Sequence, residues 1–157
     1  MGYVLHALIA RDELLRTTSR DIPEARVVPL CQGLSLVPMT DALFDAVTDG
    51  GVGELGFRRL PGGFGGPLAR WSAGGPVAYA EAEYFGGTGE QRAAVWADGA
   101  LALGPWESSP DPGLPEAISP ISRALRRLGA RSDPGEDEFQ TVGLNRRRDT
   151  DAWLSPD

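Results

Sequence analysis

The chain has no lysine, and its other reactive side chains are few. All 15 of its basic residues are arginines, and it has one histidine, His6, and one cysteine, Cys31. Without lysine there can be no Schiff base, no serine–lysine dyad and no phosphate-loop lysine. A single cysteine excludes an internal disulfide, which fits a reducing compartment. A Cys31–His6 nucleophile is conceivable, but a buried cysteine and a strand histidine without a catalytic role explain both more simply.

The chain also lacks a long apolar run and an excess of positive charge. No stretch approaches the roughly 20 apolar residues that cross a bilayer. The first residues, MGYVLHALIARDELL, have no basic region and no cleavage motif of a secretory signal. The net charge of −7 argues against nucleic acid, whose binders need clustered positive surface. We therefore predict a cytoplasmic location, no membrane or nucleic-acid partner, and a protein partner with a basic surface.

The composition otherwise fits one globular domain that is rich in loops. The chain has 157 residues, 41% of them apolar, with 21 glycines and 13 prolines. Such a content favours turns over a helical bundle. No internal repeat or domain boundary is visible. We predict a single α+β domain over residues 1–157, a mostly antiparallel sheet with about three helices packed on it.

The first half predicts strands and short helices, followed by a glycine-rich region. A strand is predicted over 2–10, with a short helix directly after it, and two short strands over 25–39. Thr40 is typical of the residue that begins a helix. Residues 50–76 contain ten glycines, so we expect loops there around a few apolar anchors.

The second half predicts a meander of three strands over 77–103. Residues 77–85 alternate in polarity, so that Tyr79 and Glu81 share one face of a strand and the intervening alanines share the other. Turns are expected at 86–91 and at Asp98-Gly99, a strong hairpin signal.

One helix is predicted clearly, after a proline-rich loop over 105–117. Ser119 begins it, residues 120–128 form it, and Gly129 ends it. Its apolar residues fall on one face and are expected to pack on the sheet: Ile121, Leu125 and Leu128.

Acidic side chains are candidate contacts for a basic partner. Glu81 and Glu83 lie about 7 Å apart on one strand face, a spacing that suits acid–base chemistry or a divalent cation. Alternation with alanine favours a solvated sheet face instead. Asp137 and Glu138 belong to an acidic cluster, expected to be a solvated loop or a clamp. Our candidate partner contacts are Glu81, Glu83, Glu90, Gln91, Trp106, Asp137 and Glu138.

Arginines and tryptophans of the second half offer further candidates. The run NRRR could bind an anion through the forked guanidinium groups of Arg146, Arg147 and Arg148, although pairing with nearby acids is a simpler use. Trp106 and Trp153 flank polar loops and are candidates for exposed binding anchors or for core anchors. No group of residues has the spacing of a catalytic site. We predict no catalytic residue, no metal and no cofactor.

The stretch EYFGGTGEQ is predicted to be a structural turn. It lacks the lysine of a phosphate loop, and it precedes a strand, whereas a dinucleotide fingerprint opens a helix. Its glycines are expected to occupy positive-φ positions that other residues adopt at a cost. The turn should present Glu90 and Gln91 outward and hold Tyr84 and Trp96 in the core. The glycines are Gly86, Gly87 and Gly89.

Four segments resemble a small family of bacterial proteins of unassigned activity: YFGGTGEQRAAVWADG, PISRALRRLGA, DEFQTVGL and RRDTDAW. The shared pattern is Phe-Gly-Gly-x-Gly-x-Gln, a leucine-rich helix, Asp-Glu-Phe, Gly-Leu and an arginine-rich tail. It covers roughly the C-terminal half of the chain. In size, acidity and loop content the chain is similar in kind to immunity proteins encoded beside secreted bacterial toxins. The resemblance implies no catalytic residue.

Two functions from different classes follow. The first is a non-catalytic binding protein, an immunity-like or antitoxin-like inhibitor of a toxin. The second is a small enzyme or ligand-binding protein with its site at the FGGTGEQ turn. This second function requires a concave pocket that Glu83 and Gln91 face and that residues 50–76 close. A structural role in a larger assembly is a third, and would show as self-association.

Overall fold

A six-stranded antiparallel sheet runs through the centre of the molecule. The structure, a computed structural model, describes residues 2–51, 54–85, 88–107, 119–135 and 137–154. The strand order is β2-β3-β1-β4-β5-β6, and the predicted α+β fold is confirmed. The strands are β1 (Tyr3–Arg11), β2 (Val28–Pro29), β3 (Leu34–Pro38), β4 (Val77–Phe85), β5 (Thr88–Ala97) and β6 (Ala100–Glu107).

The predicted meander is confirmed, with a shorter first turn than expected. Phe85 and Thr88 are paired across β4 and β5, so the strands extend into the predicted turn at 86–91. Gly86 and Gly87 lie outside the described residues. Between β5 and β6, Asp98 and Gly99 have φ values of 54° and 87°, as a two-residue hairpin turn requires. Strand β6 also takes up the start of the predicted loop 105–117, whose residues from 108 onward are not described.

The described part of the chain has five α-helices beside the sheet, two more than expected: α1 (Asp12–Thr18), α2 (Asp41–Val47), α3 (Gly65–Trp71), α4 (Pro120–Arg127) and α5 (Glu138–Val142). Thr40 begins α2 as predicted, its hydroxyl accepting the N–H of Leu43 at 3.2 Å. Ser119 does the same for α4, and Gly129 follows with a φ of 101°. Helix α3 lies in the glycine-rich region, where loops are expected from the sequence, and α5 has five residues, too few for a periodic signal. Within the described ranges, no helix is long and apolar enough to cross a membrane.

One face of the sheet, which we call the α4 face, is covered by the end of the chain. Small alanines of β4 and β5 lie there, as the alternation predicts, and allow the helix to approach closely. Ile121 and Leu125 of α4 and Leu128 at its end are each at most 2% exposed, so the predicted packing of this helix is confirmed. The other residues that complete this core include Leu5, Ile9, Leu36, Ala80, Ala93, Val142, Leu144 and Trp153.

The opposite face, which we call the Tyr79 face, is also covered, contrary to our expectation that it is solvated. Tyr79 is fully buried there, and Phe57 packs edge-on against its ring at 4.9 Å between centroids. The sheet is therefore the middle layer of three. The other buried residues of this face include Leu8, Leu15, Met39, Leu43, Leu60, Phe64, Leu68 and Trp96.

The glycine-rich region forms most of this cover and is more ordered than predicted. It contains α3 and two short 3-10 turns (Glu54–Gly56 and Ser72–Gly74). Its chain folds back on itself, since Asp49 N–H donates to the Gly62 carbonyl and Gly62 N–H to the Gly51 carbonyl. A Cβ on Gly62 would lie 2.8 Å from Gly51 Cα. Glycine is thus needed for this close approach of two backbone segments.

Candidate binding cleft

A cleft of about 450 Å³ opens on the Tyr79 face, where β4 turns into β5. Strands β4, β5 and β6 form its floor and walls, and Gly56 and Arg58 close it from the glycine-rich region. The surface beside the FGGTGEQ turn is therefore concave. The charged residues that line the cleft are Arg58, Arg92, Glu81, Glu83, Glu90 and Glu107.

Glu81 holds the cover of the cleft in place. Its two carboxylate oxygens accept the backbone N–H groups of Arg58 and Arg59, each at 2.7 Å. The Tyr79 hydroxyl donates to the same carboxylate at 2.8 Å. Glu81 is only 6% exposed, so the prediction that it lies on a solvated sheet face is wrong. A buried carboxylate needs such partners, because desolvation of an unpaired charge is costly.

Tyr79 serves as a hydrogen-bond donor in this arrangement. Burial raises the pKa of its hydroxyl well above the ordinary value of 10, and the charge of Glu81 raises it further. The phenol therefore stays protonated at neutral pH and keeps donating to Glu81. A group in this state is a poor general base.

Glu83 and Glu90 form the mouth of the cleft together with Arg58. The two glutamates are directly opposite each other on β4 and β5, an arrangement of like charges that is unfavourable on its own. Arg58 lies between them, with Nε 2.9 Å from Glu83 and an Nη 2.7 Å from Glu90. Hydrogen bonding to Glu90, and then the charge of Glu83, raises the pKa of Arg58.

Arg92 connects the floor of the cleft to its cover. It lies opposite Glu81 on β4 and opposite Glu107 on β6, and it forms an ion pair with Glu107. Its guanidinium carbon also lies 5.8 Å from the centre of the Phe57 ring, a cation–π distance. A row of alternating charges therefore crosses three strands.

Gln91 and Tyr84 do not lie where the sequence predicts. Gln91 is 9% exposed and its side chain belongs to the α4 side, where Oε1 accepts the Ile121 N–H at 3.0 Å. Its Nε2 donates to the Tyr84 hydroxyl at 2.5 Å. Tyr84, expected in the core, is 37% exposed. A Cβ on Gly89 would overlap the Tyr84 ring, so this glycine is needed for that close contact and not for the positive φ we predicted.

Trp96 and Glu90 follow the prediction for the turn more closely. Trp96 is 3% exposed and belongs to the core of the Tyr79 face. The side chain of Glu90 is 62% exposed, as expected for a residue presented outward.

The acidic pair of the second half proves to be structural. Asp137 begins α5, where its carboxylate accepts the Gln140 N–H at 2.9 Å in a capping box. Glu138, expected to be solvated, is 3% exposed and pairs with Arg126 at 2.6 Å. Burial is the largest influence and favours the protonated acid, but hydrogen bonds from Arg126, Ser122 and the backbone, together with the charge of Arg126, outweigh it and lower the pKa of Glu138. Neither residue lines the cleft.

The arginine run lies at the other side of the sheet from the cleft. Arg146 donates to the Pro29 and Gly143 carbonyls at 2.8 and 3.1 Å, and its guanidinium lies over the buried Trp153 ring. Arg148 accepts the N–H of Val4 with its carbonyl. At least Arg146 is thus committed to internal contacts instead of an anion.

Trp106 is half-buried against the core of the α4 face, with the Arg123 guanidinium 5.7 Å from its ring. Of the two roles considered for the tryptophans, the structure therefore favours core anchoring for both Trp106 and Trp153.

Cys31 and His6 are not a catalytic pair. Cys31 is exposed, against our expectation of a buried thiol. It follows β2 in the chain, and its backbone N–H donates to the Val142 carbonyl. His6 is 8% exposed in β1, and among the described residues its Nε2 has no hydrogen-bond partner. Burial lowers the pKa of this imidazole, while the nearby charge of Glu83 opposes the shift. Among the described residues, no group of three acidic, histidine or cysteine side chains could hold a metal ion.

Sequence reasoning missed Arg58, Arg92, Glu107 and Tyr79 as parts of the site. A partial signal exists, because Arg92 falls on the same face as Trp96 when the alternation of β5 is followed. Nothing local in the sequence indicates that the Arg58 segment lies across β4.

Comparison of the chain with family models, with curated proteins and with solved structures finds no match. Inferences about function therefore rest on the geometry of the cleft.

Proposed function

We propose that this chain is a cytoplasmic, non-catalytic binding protein of the immunity or antitoxin kind, and that the cleft is its recognition surface for a basic partner. The observation that carries the proposal is the charge of the lining. Four carboxylates and two guanidinium groups surround the cleft, on a chain with a net charge of −7. Such a surface attracts a basic segment and speeds its association.

The chemistry of the lining favours binding over catalysis. Both oxygens of Glu81 are engaged by backbone N–H groups, which commits this carboxylate to holding the cover of the cleft. Tyr79 is held protonated, as its raised pKa requires. The remaining charged side chains are paired with each other: Arg92 with Glu107, and Arg58 with Glu83 and Glu90. The second group lies at the mouth of the cleft, where a partner's charges can exchange with it.

The decisive experiment uses the toxin-like domain encoded beside this chain, if its gene neighbour is a large secreted protein. We expect the purified domain to bind this chain, and co-expression to protect cells from it. A Glu83→Gln/Glu90→Gln variant should bind at least about tenfold more weakly, with most of the loss in the association rate and greater at low salt. The matched control is Asp21→Asn/Glu24→Gln, which removes two charges from a loop away from the cleft.

Two results would overturn the proposal. One is that the adjacent domain neither binds nor is inhibited. The other is that it binds the cleft variant and the control variant equally well, which would place recognition elsewhere.

A second candidate function rests on the size of the cleft. A volume of about 450 Å³ lies within the range of pockets that hold small molecules. A polar metabolite with both charge signs would match the lining. Thermal-shift screening against such compounds tests this alternative: a hit whose stabilisation is abolished by Arg92→Gln would support it over a protein partner.

A further inference from the structure

The clamp formed by Glu83 and Glu90 has one unusual feature. Two carboxylates directly opposite each other are normally avoided on a sheet, yet here they converge on one guanidinium that comes from a separate segment. The side chain of Arg58 is 64% accessible and that of Glu90 is 62%, compared with 22% for Glu83. The two acceptors belong to paired strands, and the cation lies at the surface of the cleft.

We infer that Glu83 and Glu90 are a receptor for a guanidinium group, which Arg58 occupies in the unbound protein and which an arginine of the partner takes over. The inference rests on the proposed function, since it names the side chain by which the partner is recognised. Arg58 acts as an intramolecular stand-in for that arginine.

The exchange needs no movement of the cover. The backbone of this segment is held to Glu81 through the N–H groups of Arg58 and Arg59, independently of the Arg58 side chain. The neighbouring Arg59 does not compete for the two glutamates, because its guanidinium pairs with Asp41 at 2.5 Å. The side chain of Arg58 can therefore swing into water while the cleft keeps its shape. Solvent screening makes an exposed ion pair easy to give up.

The geometry favours a guanidinium over an ammonium group. Arg58 uses Nε for one carboxylate and an Nη for the other, so the two acceptors are spaced to suit different nitrogens of one planar fork. A guanidinium presents five donors at fixed angles, whereas an ammonium is a compact point charge that contacts both carboxylates less well.

The test removes the stand-in and supplies the ligand separately. Arg58→Ala protein is titrated with N-acetyl-arginine amide, and binding is followed through the backbone amide signals of Glu83 and Glu90 by NMR at constant ionic strength. We expect binding at least about tenfold tighter than to the wild type, whose own arginine competes. N-acetyl-lysine amide should bind more weakly, and Arg58→Ala/Glu83→Gln should lose binding of the arginine probe. Arg16→Ala, which opens an exposed ion pair with Asp12 on α1, is the matched control and should gain nothing.

If the Arg58→Ala variant is poorly folded, the experiment uses Arg58→Met in its place, because methionine keeps the aliphatic part of the side chain. Equal affinity of the wild type and the Arg58 variant for the arginine probe would overturn the inference, as would equal binding of the lysine probe.

The outcomes separate this inference from the proposed function. If the partner domain binds through the cleft but the Arg58 variant does not take up the arginine probe, the receptor is wrong and the binding function stands. If the probe binds and no protein partner does, the receptor stands and the toxin inhibitor is wrong.

Discussion

The two faces of the central sheet are covered in different ways. On the α4 face, an amphipathic helix packs side chains such as Leu125 against alanines of β4 and β5. On the Tyr79 face, the cover is mostly short turns and glycines, attached to the sheet by hydrogen bonds to Glu81 and by rings such as Phe57. The first cover is an amphipathic helix packed on alanines, and the second combines an apolar core, which includes Leu60, Phe64 and Leu68, with hydrogen bonds at separate points.

The difference explains where the cleft lies. On the α4 face, side chains such as Leu125 pack closely on alanines, in the dense manner of protein interiors. On the Tyr79 face the irregular chain packs on the sheet through Leu60, Phe64 and Leu68 but leaves a concave space next to Glu83. The cleft therefore lies on the face with the less regular cover.

The largest effect should come from breaking the regular cover. Leu125→Ala removes a fully buried side chain and should cost about 2–5 kcal/mol, a loss of roughly 2–4 °C in melting temperature per kcal/mol. Arg127→Ala, an exposed position on the same helix, is the control. Similar melting temperatures for the two variants would contradict the assignment of Leu125 to the core.

Removing the hydrogen bonds of Glu81 on the Tyr79 face should lower the stability less, and its effect should be local. Glu81→Gln removes the charge that accepts two backbone N–H groups and should destabilise the fold by about 1.5–3 kcal/mol. Hydrogen exchange at the amides of Arg58 and Arg59 should accelerate more than exchange in α4. Glu13→Gln on the exposed side of α1 is the matched control, and uniform acceleration throughout the molecule would argue against a local attachment.

Two glycines of the irregular cover should respond in opposite directions. Gly62→Ala forces a Cβ against the Gly51 backbone and should destabilise by about 1–3 kcal/mol. Gly66→Ala lies in α3 with nothing nearer to its Cβ than Arg70 at 3.7 Å, and should stabilise by about 0.5–1 kcal/mol. Urea unfolding measures both. A stabilising Gly62→Ala would mean that the two backbone segments are not in contact.

The smallest effect concerns pH and His6. Its pKa is lower in the folded protein than the ordinary 6.5, so the unfolded chain takes up the proton first as the pH falls. Stability should therefore decrease as the pH drops below about 6.5. His6→Gln should weaken this dependence between pH 7 and pH 5 in urea unfolding experiments. Parallel pH profiles for the two proteins would show that His6 is not the responsible group.

The same contrast decides how much of the structure the sequence predicts. The helix over 120–128 and the hairpin at Asp98-Gly99 depend on residues within a few positions of each other, and both are confirmed. The role of Glu81 depends on amides 23 and 22 residues away, and that of Gln91 on an amide 30 residues away. Local alternation gave the face of Glu81 correctly but could not show that another segment covers that face.

The position of β1 has a consequence for the order of synthesis. This strand precedes the other five in the chain, yet it lies in the middle of the sheet between β3 and β4. Its beginning is completed only by the far end of the chain, where Arg148 accepts the Val4 N–H and the Thr150 hydroxyl accepts the His6 N–H. Contacts over such separations form slowly, because the chain between them must be ordered first. During synthesis, the beginning of β1 therefore forms its contacts with Arg148 and Thr150 late. Until then its unpaired edge is open to pairing with other chains.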